Sequence, residues 1–231
     1  MTAQIGIIGA MSVEVESLIS GLEDRREELV GGVKFNTGSI FGKKIVVAGC
    51  GVGKVFAAIA AEAMIIKYNP SLIVNTGVGG ALSRSLMPTD TVIAQRLVQH
   101  DMDTSPLGDP PGLISGINKI YFDADPRAVK LLCEAAERLG LRAAVGTVAS
   151  GDKFVAHPED KQRISAAFSA DVCEMEGAAI AHTAFVNNTP FAVIRAISDS
   201  ADGGASMDYM EFLPVAAKNS AALTLELIKQ W

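Results

Sequence analysis

Short runs of apolar residues alternate along the chain with longer segments whose apolar residues recur at helical spacing. Several of the short runs lack alternating polar positions, which is typical of strands buried on both faces. These runs predict strands at residues 5–8, 44–48, 72–75, 91–94, 144–149 and 191–197. The longer segments predict helices at residues 13–22, 54–67, 127–139, 158–168, 178–186 and 208–230. A β-rich run at residues 33–40, followed by Phe41-Gly42-Lys43 and a new strand, predicts a hairpin.

The order of these elements predicts a three-layer α/β/α fold, with helices on both faces of a central mixed, mostly parallel sheet. The chain has 231 residues, 49% hydrophobic and 20% charged, and shows no repeat, low-complexity segment or dividing linker. We therefore predict a single domain over residues 1–231 that folds without needing a disulfide or a metal. Residues 100–118 form the longest predicted irregular stretch, and such loops are usually functional or disordered.

The net charge of −6 argues against a nucleic-acid partner, which would require a basic surface. Cys50, Cys133 and Cys173 are far apart and form no C-x-x-C pair, so they indicate neither a disulfide framework nor a thiolate zinc site. The first residues lack the basic segment of a signal peptide, and no apolar run reaches the roughly 18 residues of a membrane span. We expect a cytoplasmic protein with no membrane partner.

Two glycine-rich turns match nucleotide-binding motifs only in part. Around Gly51-Val52-Gly53-Lys54, Ala48 and Val55 stand where a phosphate-binding P-loop needs glycine and Ser or Thr. After Gly77-Val78-Gly79-Gly80, Leu82 stands where a dinucleotide fingerprint needs its third glycine. Both segments are either tight strand-to-helix turns or places where the backbone lets a sugar or a small anion approach closely.

Other catalytic motifs are missing from the sequence. There is no G-x-S-x-G nucleophile elbow. His100, His157 and His182 lack metal-ligand spacing, so no metal is predicted. Lysine and arginine are scattered, without the basic, aromatic-rich stripe of a single-strand binder.

Acidic residues stand at the ends of several predicted elements. Glu14, Asp152 and Asp199 follow predicted strands, and Glu174 and Glu176 precede the predicted helix at residues 178–186. Glu14 and Asp199 could simply favour the helix termini beside them, as an acid near the dipole and as an N-cap. In open α/β sheets, however, ligands bind beyond the carboxyl ends of the strands. Several acids there, without a metal or a nucleophile, favour acid–base chemistry at carbon–oxygen or carbon–nitrogen bonds. Glycoside hydrolysis is the template, because one carboxyl protonates the leaving group and another activates water.

These residues also belong to a series of motifs that resembles the methylthioadenosine/S-adenosylhomocysteine nucleosidases, a family with the purine nucleoside phosphorylase fold. The likeness covers nearly the whole chain, with the motifs in the same order and at compatible spacing. The motifs are Ile5-Gly6-Ile7-Ile8-Gly9-Ala10-Met11 with Glu14, Gly51-Val52-Gly53-Lys54, Asn75-Thr76-Gly77, Ser150-Gly151-Asp152, Glu174-Met175-Glu176 and Arg195-Ala196-Ile197-Ser198-Asp199.

The resemblance implies hydrolysis of the N-glycosidic bond of methylthioadenosine and S-adenosylhomocysteine, with release of adenine, as in methionine salvage. Asp199 would be the general acid that protonates N7 of adenine, at a strand end shaped by Ser198. Glu14 would orient and deprotonate the attacking water. Glu176 would bind the ribose hydroxyls, and Met175 would pack under the sugar. No cofactor is implied.

The resemblance also assigns the walls of the pocket. Phe154 would stack on adenine, and the backbone of Val155 would bind the edge of the base. The ribose and alkylthio group would be lined by Met11, Val52 and Tyr209.

Three positions bear on the neighbouring subunit and on specificity. In the homodimer typical of the family, Leu107 from the long loop of one subunit would close the pocket of its partner. Leu107 stands where the family pattern has an aromatic residue, and Tyr209 stands where it has phenylalanine. Val78 replaces a serine found in some members, so a hydrogen bond near the reacting atoms is lost or supplied otherwise.

An exposed aspartic acid is ionised at neutral pH, so Asp199 would have to gain a proton through burial or as the base arrives. Glu14 would have to stay ionised to take a proton from water. Three alternatives remain. One is a phosphorylase that uses phosphate, although Glu14 would repel that anion. The others are a nucleosidase for a related substrate, such as aminodeoxyfutalosine or deoxyadenosine, and a non-catalytic nucleoside-binding module.

Overall fold

The computed structural model describes residues 4–201 and 205–231. Within those residues, ten strands and six α-helices follow one another along the chain. The strands are β1 Ile5–Gly9, β2 Glu23–Val30, β3 Val33–Ile40, β4 Lys43–Gly49, β5 Leu72–Ala81, β6 Thr91–Gln99, β7 Tyr121–Asp123, β8 Ala143–Ser150, β9 Val172–Glu174 and β10 Phe191–Asp199. The helices are α1 Ser12–Ser20, α2 Lys54–Tyr68, α3 Pro126–Leu139, α4 Pro158–Phe168, α5 Gly177–Val186 and α6 Ala205–Gln230.

All these strands belong to one mixed sheet. On one side of β5 the parallel strands β1 and β4 are followed by the antiparallel β3 and β2. On the other side β10 pairs with β5 in parallel, and the ladder continues through β6, β8 and β9 back to β5. Five strands therefore close into a ring, so that half of the sheet is a small barrel and the other half is open.

The strand β5 changes partner along one of its edges. β1 pairs with residues 72–75 of that edge, and β9 pairs with Gly80 and Ala81. Between the two pairings the sheet splits. Backbone groups at a split edge need other partners, because a buried N–H without a hydrogen bond destabilises the fold. This split is where polar side chains from other elements enter the sheet.

The helices cover two faces, as the predicted three-layer architecture requires. On one face α2 packs against α5 over a buried cluster that includes Phe35, Met64 and Ile180. On the other face α1, α3 and α6 pack together over a second cluster that includes Leu18 and Leu227. The mixed α/β/α fold is thus confirmed.

Three strands were not predicted. β2 has the sequence EDRREELV and is exposed along most of its length, so it carries no apolar pattern, and it is held by its pairing with β3. β7 and β9 are three residues long, too short for a pattern. The predicted hairpin is present as the antiparallel pair β3 and β4. The long loop contains a single 3₁₀ turn at Ser105–Leu107.

In the described part of the chain, none of the helices combines the length and the apolar character needed to cross a membrane.

Candidate active site

A pocket lies at the split in the sheet, beyond the carboxyl ends of β1, β5 and β10. It holds about 570 Å³ of space, including its open mouth, which is within the usual range for small-ligand sites. Strand ends, the β9–α5 turn and the start of α1 all contribute to its wall. The lining residues are Ala10, Met11, Glu14, Val52, Val78, Gly79, Gly80, Lys153, Phe154, Val155, Cys173, Glu174, Met175, Glu176, Ser198 and Asp199.

Glu14 enters the split in the sheet from the first turn of α1, where it is 3% exposed. Its Oε2 accepts hydrogen bonds from the N–H groups of Ala10 at 2.8 Å and Met11 at 2.9 Å. Its Oε1 accepts from the N–H of Val78 on β5 at 3.1 Å. Glu14 therefore supplies a partner to the split edge of β5, and three backbone donors fix its carboxyl group in one orientation.

The protonation of Glu14 reflects two opposing effects. Burial raises the pKa of Glu14 above its ordinary value, because desolvation disfavours the charged form. The N–H of Met11, the guanidinium of Arg195 and the N–H groups of Val78 and Ala10 act in the opposite direction. A carboxylate with a raised pKa accepts protons more readily, which suits a general base.

Asp199 is the last residue of β10, and it is 2% exposed. Its Oδ1 accepts a hydrogen bond from the hydroxyl of Ser198 at 3.0 Å. Its Oδ2 accepts from Nζ of Lys161, on α4, at 2.8 Å. Gly80 lies against this carboxyl group so closely that an added Cβ would stand 2.9 Å from Oδ2. The carboxyl group of Asp199 is thus fixed by Ser198, Lys161 and the close approach of Gly80.

A buried ion pair supports the β9–α5 turn behind the pocket. Oε2 of Glu174 accepts hydrogen bonds from two guanidinium nitrogens of Arg195 and from the N–H groups of Glu176, at 3.0 Å, and Gly177, at 2.7 Å. Arg195 also donates to Oδ1 of Asn75 on β5. The network joins β5, β9 and β10 and fixes the backbone that carries Glu176.

Glu176 faces the pocket and accepts the N–H of Gly53 through Oε1 at 2.7 Å. Burial raises the pKa of Glu176 to about 7, and the negative charge of Glu174 adds to that shift. Gly53 has a φ of +103°, a left-handed conformation that glycine adopts without strain. The glycine turn therefore presents its N–H to a carboxylate of the protein.

The remaining wall is largely apolar. Met11, Val52, Phe154, Val155 and Met175 line the pocket beside the carboxyl groups. Phe154 is 47% exposed, so part of its ring is accessible to a flat ligand.

Ten of the twelve predicted site residues come together here, and Val78 also bonds Glu14 through its backbone, which needs no serine hydroxyl. Leu107 is 84% exposed and does not line the pocket of its own chain. Tyr209 belongs to α6, but its side chain lies outside the described residues. Asp152 also ends a strand, yet its Oδ1 accepts the N–H of Lys54 outside the pocket.

Three residues that support the site were not among the predicted site residues: Arg195, Asn75 and Lys161. Arg195 stands within an apolar strand, and a charge in a fully buried run is a signal of a paired, functional group. Lys161 shares a helical stripe with the buried Ile164 and Phe168, again a charge at an apolar position. Their partners could not be deduced, because they are distant along the chain.

The pocket combines three carboxyl groups. Glu14 is fixed by backbone donors, Glu176 has a pKa of about 7, and Asp199 stands at the end of β10. Such a set can protonate a leaving group, activate water and bind hydroxyl groups.

The chain is similar to known proteins over nearly its whole length. Residues 4–229 match the family model described as the phosphorylase superfamily. The 5′-methylthioadenosine/S-adenosylhomocysteine nucleosidase of Haemophilus influenzae (strain PittEE) is 40% identical over 226 residues, covering 97% of this chain and 98% of that protein. The enzyme of that name from Staphylococcus aureus (strain JH9) is 38% identical over 227 residues, covering 98% and 99%.

Solved structures are equally similar. The crystal structure of the nucleosidase of Neisseria meningitidis in complex with methylthio-immucillin-A has a TM-score of 0.95 at 35% identity, covering 99% of both chains. The futalosine hydrolase of Helicobacter pylori has a TM-score of 0.95 at 33% identity, covering 100% of this chain and 99% of that one. From its full-length match and its relatives, this chain belongs to the 5′-methylthioadenosine/S-adenosylhomocysteine nucleosidase family of the phosphorylase superfamily.

Proposed function

We propose that this protein hydrolyses the N-glycosidic bond of 5′-methylthioadenosine and S-adenosylhomocysteine, releasing adenine and the thioribose product. The observation that carries this proposal is that Glu14, Glu176 and Asp199, from distant parts of the chain, line one pocket. The names of the relatives support the same substrates. Such a reaction would serve nucleoside catabolism and methionine salvage.

In the proposed reaction Asp199 protonates N7 of adenine, so that the electron pair of the breaking bond leaves with a neutral base. Glu14 accepts a proton from the attacking water, and its three backbone hydrogen bonds fix the direction of attack. Glu176 accepts hydrogen bonds from the ribose hydroxyls. The negative charges of Glu14 and Glu176 also favour the positive ribosyl centre of the transition state.

Each apolar residue of the pocket contacts a different part of the substrate. Phe154 stacks on adenine and the backbone of Val155 binds its edge, while Met175 packs under the sugar. Met11 and Val52 line the ribose and the alkylthio group, together with Tyr209 from α6.

Water fits this site better than phosphate does. A phosphorylase needs a cationic clamp for its anion, whereas here the fixed carboxylate of Glu14 faces the pocket. Lys153 lines the pocket but pairs with Asp160 at 2.6 Å, and Arg195 is held by Glu174 and Asn75.

A related adenine nucleoside is the second candidate substrate. The similarity to a futalosine hydrolase supports it, because that enzyme shares the fold over the full chain. The reaction and the acid–base residues would be the same, and only the group at the 5′ position would differ.

The direct test is adenine release from methylthioadenosine, S-adenosylhomocysteine, aminodeoxyfutalosine and deoxyadenosine, each with and without phosphate. We expect free thioribose products, at rates independent of phosphate, with the two thionucleosides as the best substrates. Formation of a sugar phosphate would instead identify a phosphorylase, and binding without any release of adenine would identify a binding module.

The residue test is Asp199→Asn and Glu14→Gln. Each should lower kcat by about 100-fold or more, the usual contribution of a positioned acid or base, while KM changes little. The exposed Asp123→Asn and Glu16→Gln are matched controls that should leave kcat unchanged. An Asp199→Asn variant that keeps more than about a tenth of kcat would exclude Asp199 as the acid.

The functional unit is proposed to be a homodimer. α2 and α5 form a groove whose exposed apolar residues include Val55, Ile59, Ile66 and Val186. Contiguous apolar patches of this kind mark interfaces. Leu107, exposed in the long loop, would then reach the pocket of the second copy. The three free thiols of the chain are consistent with the cytoplasm as its compartment.

A further inference from the structure

Lys161 is a buried lysine whose ammonium group contacts the proposed acid. Its Nζ lies 2.8 Å from Oδ2 of Asp199, and the two side chains are 2% and 3% exposed. The same Nζ donates to the carbonyl of Ser200 at 2.5 Å. Burying an ammonium group is unfavourable unless it is paired and hydrogen-bonded. Lys161 is therefore held in place by the strand end that carries the acid.

The two oxygens of Asp199 are held by different kinds of donor. Oδ2 accepts from the ammonium group of Lys161, which can only donate hydrogen bonds. Oδ1 accepts from the hydroxyl of Ser198, which can also act as an acceptor. A leaving-group acid must carry a proton when the bond breaks, so Oδ1 is the oxygen left to carry it.

Among residues 4–201 and 205–231, Lys161 is the charged side chain paired with Asp199. Cys173 on β9 is close, but burial raises the pKa of its thiol to about 12, so it is neutral at physiological pH. Ser198 contributes a neutral hydroxyl to Oδ1. On the same turn of α4, Asp160 pairs with Lys153 and Arg163 at the surface.

We propose that Lys161 is a positioning residue that holds Oδ2 of Asp199 as a hydrogen-bond acceptor, so that Oδ1 is the oxygen that delivers the proton to N7. The inference rests on the proposed role of Asp199. The proton comes from solvent and passes from Oδ1 of Asp199 to N7 of the base as the pair of electrons of the N9–C1′ bond moves into the purine. The proton that Glu14 takes from the attacking water returns to solvent.

Two nearby carbonyl groups support this arrangement. Nζ of Lys161 also donates to the carbonyl of Ser200 at 2.5 Å, which fixes the ammonium group beside Oδ2. The hydroxyl of Ser198 lies 3.3 Å from the carbonyl of Gly79, so it has a second acceptor when Oδ1 carries the proton.

The test compares kcat and KM of wild type, Lys161→Met and Lys161→Arg. Lys161→Met removes the donor on Oδ2, so the carboxyl group of Asp199 loses its fixed orientation. We expect kcat to fall about 10-fold or more while KM stays within about twofold, because the orientation matters for proton transfer and not for binding. Lys161→Arg keeps a cation that can only donate hydrogen bonds, so it should recover most of kcat.

A purely structural role for Lys161 would change KM together with kcat, and that result would overturn the proposal, as would an arginine variant that behaves like the methionine variant. Folding is checked by near-ultraviolet circular dichroism, and Lys161→Gln replaces Lys161→Met if the latter does not fold. Asp199→Asn tests the two roles separately. If it stays active, the proposed acid is wrong; if it is inactive and Lys161→Met keeps the kcat of wild type, only the role of Lys161 is wrong.

Discussion

At the scale of single residues, the protonation of Glu176 links the chemistry of the pocket to the stability of the fold. Its carboxyl group accepts the N–H of Gly53, is 7% exposed and lies near the negative charge of Glu174. Burial first, and then the charge of Glu174, raise the pKa of Glu176 from 4.5 to about 7 in the folded protein, although Arg195 and the N–H of Gly53 act in the opposite direction. The folded state therefore binds a proton at Glu176 more tightly than the unfolded state does.

The raised pKa of Glu176 predicts a pH-dependent gain in stability for Glu176→Gln. A raised carboxyl pKa contributes stability below the unfolded value of 4.5, and this contribution is lost as the pH rises through about 7. The amide cannot ionise but can still accept the N–H of Gly53. The free energy of unfolding of the variant, relative to wild type, should thus increase by roughly 2–3 kcal/mol between about pH 4.5 and about pH 8.

Urea unfolding at several pH values would measure this difference. The exposed Glu16→Gln is the control, and its difference from wild type should not change with pH in the same way. If the difference for Glu176→Gln were the same at all pH values, the raised pKa of Glu176 would be wrong.

The environments of the carboxyl groups could not be ranked from the residues themselves. Glu174 and Glu176 stand two positions apart, yet the pKa of Glu174 is lowered, with Arg195 as the largest cause in that direction, while that of Glu176 is raised. The difference comes from Arg195, on another strand, and no local pattern reports that contact. The residue types at strand ends were nevertheless sufficient to nominate Glu14, Glu176 and Asp199, which the structure brings to one pocket.

At the scale of elements, the end of β5 is shaped by what packs against it. A Cβ on Gly77 would stand 2.6 Å from Oε1 of Glu14, and one on Gly80 would stand 2.9 Å from Oδ2 of Asp199. On Gly79 it would stand 2.5 Å from Val172. Real contacts of this kind are not that short, so the glycines leave the space that the two acids and β9 occupy.

Gly77→Ala should therefore damage activity more than it damages the fold. The added methyl group would displace the carboxyl group of Glu14 from the hydrogen bond with Val78, and small displacements of catalytic groups lower rates strongly. We expect kcat to fall about 100-fold, measured by adenine release. Gly116→Ala is the control, because a Cβ at exposed Gly116 meets nothing within 4 Å. Unchanged kcat in Gly77→Ala would mean that Glu14 is not held as described.

The same glycines explain an error in the length of β5. Its predicted end was residue 75, because glycines usually terminate a strand. The structure continues β5 to Ala81, since residues 76–81 are buried and pair with β10 and then β9. Strand pairing outweighs the intrinsic preference of glycine. Conversely, β2 is polar and exposed, and its pairing with β3 could not be read from its own residues.

At the scale of the whole molecule, the groove between α2 and α5 predicts how the chain assembles. Val55 is 70% exposed within it, which is unusual for a valine in a helix unless another surface covers it. Val55→Glu should convert the proposed dimer to a monomer and lower activity at nanomolar protein concentration, because Leu107 would no longer reach the partner's pocket. Light scattering after size exclusion gives the mass, and adenine release gives the activity.

Met87→Glu is the matched control, because Met87 is 56% exposed outside that groove. It should leave both mass and activity unchanged. If Val55→Glu kept the mass of wild type, the groove would not be the interface, and a wild-type mass equal to one chain would exclude the dimer altogether.

The overall architecture could be predicted because it follows from periodicity and element order, which are local properties of the sequence. The closure of a ring could not be predicted, because it depends on pairs such as Phe191 with Ile73, which are half the chain apart. The strands of that ring are β5, β10, β6, β8 and β9. That residues 1–231 form a single domain stays a prediction.

The late position of β10 has a consequence for synthesis of the protein. This strand seals the ring and brings Arg195, Ser198 and Asp199 with it, whereas Glu14 is made near the start. A chain still growing on the ribosome has exposed edges on β5 and β6 until its last sixth has emerged, and exposed edges invite pairing with other chains. Asp199 and Glu14 can therefore meet only after β10 has been made, and a chain that stops before β10 lacks the proposed acid.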